Sequence, residues 1–154
     1  MNPAACNEVA LALARAQLRA MNAPRCRAPA DKLACVERSC GVIFSMLNLS
    51  RAADGDDDDR PGADDFLPVF IYTVLHARVP RLYSTCEYIQ AYANPQDLMS
   101  RAGYCFVTLR SAVEFLLTLD SSCLSGGEAA WGTPDEFAAR LAQAEAAVDA
   151  GELE

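Results

Sequence analysis

Histidine is almost absent from this chain of 154 residues, since His76 is the only one, and the seven cysteines form no Cys-x-x-Cys pair. A structural zinc site needs clustered Cys and His ligands, so we predict no metal site, and no motif indicates a cofactor. An odd number of scattered cysteines favours free, buried thiols in a reducing compartment. We therefore expect a cytoplasmic protein.

Basic residues are also scarce: 13 Lys and Arg stand against 21 Asp and Glu, for a net charge of -8. Nucleic-acid binding is excluded, because it needs clustered cations, and unaided docking on anionic lipid is disfavoured. No apolar run reaches the roughly 18 residues of a membrane span, so no direct membrane insertion is predicted. The start at Met1–Pro3 lacks a secretory signal, and we expect a domain of a larger multidomain protein.

Helix-forming residues and apolar spacing dominate what is present, with 52% hydrophobic residues. They predict an all-α fold, a single layered bundle of about six to seven helices around one core, with no strand pair. The predicted helices are Asn7–Met21, one from Asp31 onwards, Asp64–Ala77, Arg81–Tyr92, a short one from Pro95, Tyr104–Leu119 and one from Pro134 to about Ala150. Five Asp residues in 51–61 predict a solvated loop and not a calcium site.

Prolines, glycines and caps predict where these helices begin and end. Asn94-Pro95 and Thr133 with Glu136 are typical helix starts, whereas Gly103 is interpreted as a break. The resulting organisation is an N-terminal helix within 1–27, a core within 28–120, a flexible link at 121–132 and a C-terminal helix within 133–154.

Two of the predicted helices have a second apolar face in addition to the one that would enter the core. On the Tyr104–Leu119 helix, a core face of Phe106, Leu109, Val113, Leu116 and Leu117 lies opposite a second stripe of Tyr104, Val107, Thr108, Ser111 and Phe115. The Asp64–Ala77 helix has a stripe of Asp64, Pro68, Ile71 and Leu75. Apolar surface of this kind commonly marks an interaction site, so adjacent stripes predict an apolar groove with a carboxylate at its edge.

A structural interpretation competes with this one. Both helices are then central and wrapped by neighbours on every side, and Asp64 is a helix cap or first-turn carboxylate. A further possibility is that Asp65 serves as the cap, which leaves Asp64 free to project. Pro68 is predicted to lie in the first turn of its helix, where a proline is tolerated.

Several ordered blocks resemble the VPS9 domain of guanine-nucleotide exchange factors for Rab5-group small GTPases. The most characteristic runs from Gly62 to Tyr72, as GADDFLPVFIY. The others are Ala28–Val36, Tyr88-Ile89, Asn94-Pro95, Leu98-Met99, Gly103–Phe106, Ser111–Phe115 and Leu119-Asp120, so the resemblance covers roughly residues 28–120.

The resemblance implies a helical bundle that binds a GDP-bound or nucleotide-free Rab5-group GTPase and promotes GDP release without covalent chemistry of its own. Its place is endocytic vesicle trafficking, with recruitment to early endosomal membranes. Asp64 is then the acidic finger, Pro68 a contact below it and Tyr104 an aromatic contact, and the stripes add Ile71, Val107, Thr108 and Ser111 to the GTPase-binding surface. Val107 departs from the family, which commonly has Thr there.

Two alternatives stay open. A binding-only relative would have the same fold and engage the GTPase without exchange, and Val107 is the observation that favours it. A cysteine hydrolase would pair Cys86 or Cys105 with His76, but no activating sequence surrounds them, and His76 is better interpreted as a core residue.

Overall fold

The structure, a computed structural model, describes residues 3–54, 63–119 and 133–149. These ranges contain seven helices and no strand, which confirms the all-α prediction. The helices are α1 (Pro3–Ala20), α2 (Pro29–Asp54), α3 (Ala63–Ala77), α4 (Leu82–Tyr92), α5 (Pro95–Leu98), α6 (Arg101–Leu117) and α7 (Pro134–Asp149).

The long helix α2 is the centre of the first compact unit, which runs from Met1 to Leu116. α1 packs along α2, and α3 and α4 pack against it as well. Its buried face follows the predicted spacing, with Leu33, Val36, Cys40 and Ile43 almost fully buried. Phe44 is half-buried and stacks on Phe66 of α3, with ring centroids 4.1 Å apart. α2 is therefore the support on which the neighbouring helices are placed.

Polar contacts fix the connection between α1 and α2. The buried Ser39 hydroxyl donates to the Ala14 carbonyl at 3.0 Å, which joins the two helices at mid-length. At the turn, the Lys32 ammonium donates to the Met21 carbonyl and the Asn22 amide donates to the Pro80 carbonyl. The α1–α2 connection is thus attached both to α2 and to the turn between α3 and α4.

Two predicted helix ends are wrong. α2 continues through Asp54, so the predicted loop loses its first four residues to the helix, and 55–62 lie outside the described part of the chain. Gly103 does not break a helix but lies inside α6. A Cβ built there would come within 1.9 Å of the Leu98 carbonyl oxygen. Glycine is present because α6 passes against the end of α5.

The predicted caps are confirmed. The Asn94 side chain accepts from the Gln96 amide at 3.0 Å, with Pro95 as the first residue of α5. α7 belongs to a second unit, Leu117–Glu154. Its start is a capping box in which the Glu136 carboxylate accepts from the Thr133 amide at 2.8 Å, and this hydrogen bond lowers the pKa of Glu136. The predicted flexible link, 121–132, lies outside the described residues.

The thiols described by the structure are free and buried, as predicted: Cys26, Cys35, Cys40, Cys86 and Cys105. Within the described ranges, no helix combines the length and the apolar character that crossing a bilayer requires.

Candidate functional site

Helix α3 has two opposed apolar faces, and only one of them enters the core. Phe66, Phe70, Val74 and Ala77 are buried and recur at three- and four-residue steps. On the other side, Pro68 and Leu75 are exposed and Ile71 is half-buried. Leu75 keeps 53% of its surface in solvent. The second stripe predicted for this helix is therefore an uncovered surface.

Pro68 lies deeper in α3 than predicted. It is the sixth residue of the helix, not a residue of the first turn, and its ring is exposed. A proline has no amide hydrogen, and at this position that hydrogen would bond to the carbonyl of Asp64, four residues earlier. Pro68 thus adds to the exposed stripe and removes one hydrogen bond that would hold the first turn of α3.

The start of α3 places two carboxylates side by side in sequence. Asp65 is the third helical residue, and its carboxylate accepts a hydrogen bond from the Arg51 guanidinium of α2. The suggestion that Asp65 is the N-cap is therefore wrong, because it lies inside the first turn. Asp64 is the second residue of α3, but its side chain lies outside the described part of the structure, so its role as acidic finger stays a prediction.

Helix α6 repeats the two-faced pattern of α3. Phe106, Leu109 and Val113 are buried as predicted, and Leu116 is half-buried. Leu117 was predicted on the core face, but it is the last residue of the helix and is 68% exposed. The helix therefore runs past the core at its C-terminal end.

The second stripe of α6 faces solvent. Tyr104 is 64% exposed and Val107 61%, while Ser111 is also exposed and Thr108 half-buried. The Thr108 hydroxyl donates to the Tyr104 carbonyl at 3.2 Å and the Ser111 hydroxyl to the Val107 carbonyl at 3.1 Å. Each hydroxyl proton is used within the helix, so each oxygen offers lone pairs to a partner. The interpretation in which both helices are wrapped on every side is wrong.

Contacts to α2 and α4 hold α6 in place. The pKa of Cys40 on α2 is raised chiefly by its hydrogen bond with Cys105 of α6, so the two buried thiols meet. The Arg110 guanidinium pairs with Glu87 of α4 at 3.0 Å, and Arg101 lies 3.9 Å from Glu37 of α2. Since α3 also packs on α2, both exposed stripes lie on helices that share one support. The groove between the two stripes stays a prediction.

His76 is exposed, so its interpretation as a core residue is wrong. It lies beside the buried stripe of α3 and not within it, and its ring centroid is 4.2 Å from that of Tyr72. Cys86 is buried, and burial raises the pKa of its thiol to about 11, whereas a nucleophilic cysteine needs a lowered pKa. The pKa of Cys105 is lowered by its hydrogen bond with Cys40, but its side chain is buried too. These environments disfavour a cysteine hydrolase.

A separate concavity between α1 and α2 was not predicted from the sequence. Its volume is about 950 Å³, and its lining includes the exposed side chains of Val9, Leu13 and Leu49. The apolar residues of α1 cover a wide arc of the helix. This arc is the sequence feature from which an exposed apolar surface on α1 could have been predicted. Its residues do not overlap with either stripe.

Comparisons with known proteins agree with this architecture. The family model for the vacuolar sorting protein 9 (VPS9) domain matches residues 11–121. The chain is 39% identical over 124 residues (80% of this chain, 23% of the relative) to vacuolar protein sorting-associated protein 9A of Arabidopsis thaliana. It is 40% identical over 100 residues (64% and 19%) to the Rab5 GDP/GTP exchange factor of Mus musculus. It is 34% identical over 107 residues (70% and 7%) to GTPase-activating protein and VPS9 domain-containing protein 1 of Bos taurus. The chain spans less than a quarter of the length of each of these relatives.

Proposed function

The chain belongs to the VPS9 domain family, and from that premise we propose that it is a guanine-nucleotide exchange factor that promotes GDP release from Rab5-group small GTPases. The observation that carries the proposal is the pair of solvent-exposed apolar stripes on α3 and α6, at the positions that resemble the family's binding surface. The relative from Mus musculus, named a Rab5 GDP/GTP exchange factor, supports the substrate class. The protein would act in endocytic vesicle trafficking, at early endosomal membranes.

The proposed reaction is a shift of population and makes or breaks no covalent bond. A small GTPase holds GDP through a phosphate-cradling loop, its lysine and a Mg²⁺ ion. A protein that binds the nucleotide-free state more tightly than the loaded state displaces GDP by that difference in affinity. The stripes, with Pro68, Ile71 and Tyr104 at their centre, would grip the segments of the GTPase that cover its nucleotide.

Asp64 would supply the electrostatic part of the displacement. Its position in the first turn of α3, next to the exposed stripe, suits a carboxylate that enters the phosphate site and competes for the lysine. Two unit charges about 4 Å apart interact by roughly 4 kcal/mol at an effective dielectric near 20. Desolvation of the carboxylate subtracts from this value. The full value of about 4 kcal/mol corresponds to an acceleration of about three decades, which is therefore the upper limit of this contribution.

The test of the finger is GDP release from a Rab5-group GTPase, followed with a fluorescent GDP analogue over a range of domain concentrations. Asp64→Ala should slow release about a hundredfold while the helical circular dichroism stays unchanged. The matched control is Asp65→Asn, which removes the neighbouring carboxylate and should keep the rate within about threefold, because that group is occupied by Arg51. A folded Asp64→Ala domain with a normal rate would refute the finger.

The test of the surface is the affinity for the nucleotide-free GTPase. Tyr104→Ala should weaken binding about tenfold or more, because exposed tyrosines at the centre of an interface carry much of its energy. Tyr92→Ala is the control, since Tyr92 is 72% exposed on α4. Equal effects of the two substitutions would remove Tyr104 from the interface.

Val107 supports the binding-only alternative. It is exposed at the position where the family commonly has Thr, so a hydroxyl contact to the GTPase is missing while the apolar contact survives. Saturable binding without any concentration-dependent acceleration of GDP release would identify this chain as the exchange-inactive module.

A further inference from the structure

A second site lies away from the two stripes, between the α1–α2 connection and the first turn of α4. This cationic pocket has a volume of about 450 Å³, and its lining includes Arg27, Lys32, Arg81, Ser84, Thr85 and Tyr88. The three cations come from separate segments: one from the α1–α2 connection, one from the first turn of α2 and one from the residue before α4. The fold therefore brings together charges that are dispersed in the sequence.

Arg51, Arg101 and Arg110 each pair with a carboxylate. The other cations of the described ranges, which include Arg15, Arg19 and Arg38 as well as the pocket cations, form no such pair there. In the described ranges of the chain, no carboxylate lies within ion-pair distance of any of the three pocket cations. The lack of an ion pair therefore does not distinguish the pocket cations. Their distinction is that three of them line one concavity in a chain with 21 acidic and only 13 basic residues.

The neighbouring end of α4 has the same sign of charge. Arg81 is the N-cap residue of this helix of 11 residues, and no side chain caps the helix. The N-terminus of a helix carries a partial positive charge, so cations placed beside it raise the electrostatic free energy of the fold. A bound anion would remove this cost for the helix end and for the cations together.

The walls of the pocket are held in place. The Tyr88 hydroxyl donates to the Arg27 carbonyl at 3.0 Å, and the Arg27 Nε donates to the Pro24 carbonyl at 3.1 Å. The Thr85 hydroxyl donates to the Arg81 carbonyl at 3.0 Å. Because these bonds fix the backbone around the pocket, little ordering is required when a ligand enters.

We propose that the cationic pocket binds a phosphorylated anion, either a small phosphorylated metabolite or the phosphorylated headgroup of a lipid. A phosphate group offers several acceptor oxygens and more than one negative charge, which suits a pocket lined by two arginines, a lysine and the first turn of a helix. The net charge of -8 disfavours adsorption of the whole protein to an anionic surface. The local charge at this pocket is nevertheless positive. The site is independent of the proposed exchange activity.

The experiment is calorimetric titration of the full chain with inositol hexakisphosphate at physiological ionic strength. Binding should be saturable and should raise the thermal unfolding midpoint. Arg81→Gln and Arg27→Gln should each weaken it about tenfold, since each removes a charge-assisted contact. Arg140→Gln on α7 removes the same charge from a residue that does not line the pocket and should change the affinity less than about twofold.

Vesicles distinguish the two sources of phosphate. Flotation with phosphatidylcholine vesicles that contain a phosphatidylinositol phosphate, but not with phosphatidylcholine alone, assigns the lipid headgroup. Soluble binding without flotation assigns a small metabolite. Absence of saturable binding, or an equal loss in Arg140→Gln, overturns the proposal. Should Arg81→Gln unfold, Arg27→Gln decides, because Arg27 lies in an exposed connection.

Discussion

The guanidinium of Arg51, in the last turn of α2, donates to the carboxylate of Asp65, in the first turn of α3. This ion pair joins α2 to α3 and holds the residue that follows Asp64 in the sequence. The start of the helix that carries the proposed finger is therefore anchored to the central helix of the fold.

The ion pair should contribute little to stability, because both side chains are partly exposed. A double-mutant cycle of Arg51→Gln and Asp65→Asn should give a coupling free energy of about 0.5 to 1 kcal/mol. Urea unfolding of the four proteins measures it, with equal denaturant slopes as the check that the two-state treatment holds. A coupling above about 2 kcal/mol would show that the pair is shielded from solvent.

Gly103 should be irreplaceable for a steric reason. Gly103→Ala places a Cβ against the Leu98 carbonyl, so α5 or α6 must shift, and we expect a loss of about 3 kcal/mol or more in unfolding free energy. The matched control is Gly41→Ala in α2, where a Cβ meets nothing within 4 Å. Ala is the better helix former, so that change should stabilise by about 0.5 to 1 kcal/mol. Equal effects in chemical unfolding would contradict the close approach.

Val107→Thr should restore the hydroxyl that is common in the family. One added hydrogen bond of ordinary strength should raise GTPase affinity or exchange rate about fivefold. The control is Thr108→Val, whose hydroxyl points about 100° away and already donates to the Tyr104 carbonyl. Stopped-flow GDP release compares the two. Slower release in Thr108→Val with no gain in Val107→Thr would assign the hydroxyl contact to Thr108.

The thiol of Cys86 should make stability fall in alkaline solution. Burial raises its pKa from the ordinary 9.0 to about 11, so the fold favours the neutral thiol. This contribution is complete below pH 9, decreases as the pH rises above 9 and is lost as the pH passes about 11. Between pH 9 and 11, the unfolding free energy of Cys86→Ala should therefore decrease by about 2 kcal/mol less than that of the wild type.

Urea unfolding below pH 9 and near pH 11 measures the effect. Ile89→Val is the control, because it removes a buried methyl group from the same helix without a titrating group. A wild-type protein that loses no more stability than Cys86→Ala would show that the thiolate is solvated in the folded state.

The stripes on α3 and α6 could be predicted because helical periodicity is written directly in the sequence. On α3, Pro68 and Leu75 lie on the side opposite the buried residues, and on α6 Tyr104 and Val107 do the same. These angles follow from helical periodicity alone, wherever the helix lies in the fold. His76 was wrongly interpreted as a core residue because that interpretation rested on the apolar character of the helix, which does not show how wide an arc the neighbouring helices cover.

Features that depend on contacts distant in sequence could not be predicted. Gly103 suggests a break by its type alone, and only its approach to Leu98 shows why a glycine is needed within α6. The cationic pocket combines Arg27 with Arg81, which are neighbours only after α1, α2 and α4 have packed. The ion pair between Asp65 and Arg51 likewise could not be predicted, because Arg51 lies in the last turn of α2 and the predicted helix ended before it.

Pro68 has a mechanical consequence for the chain. The carbonyl of Asp64 lacks the amide partner that an uninterrupted helix would give it, so the acidic turn is coupled less stiffly to the body of α3. The turn therefore depends for its attachment on the partly exposed Arg51–Asp65 ion pair, while Phe66 stacks on Phe70 behind it. The proposed finger, Asp64, would therefore stand on a lightly held turn and could adjust its approach as the bound GTPase changes conformation.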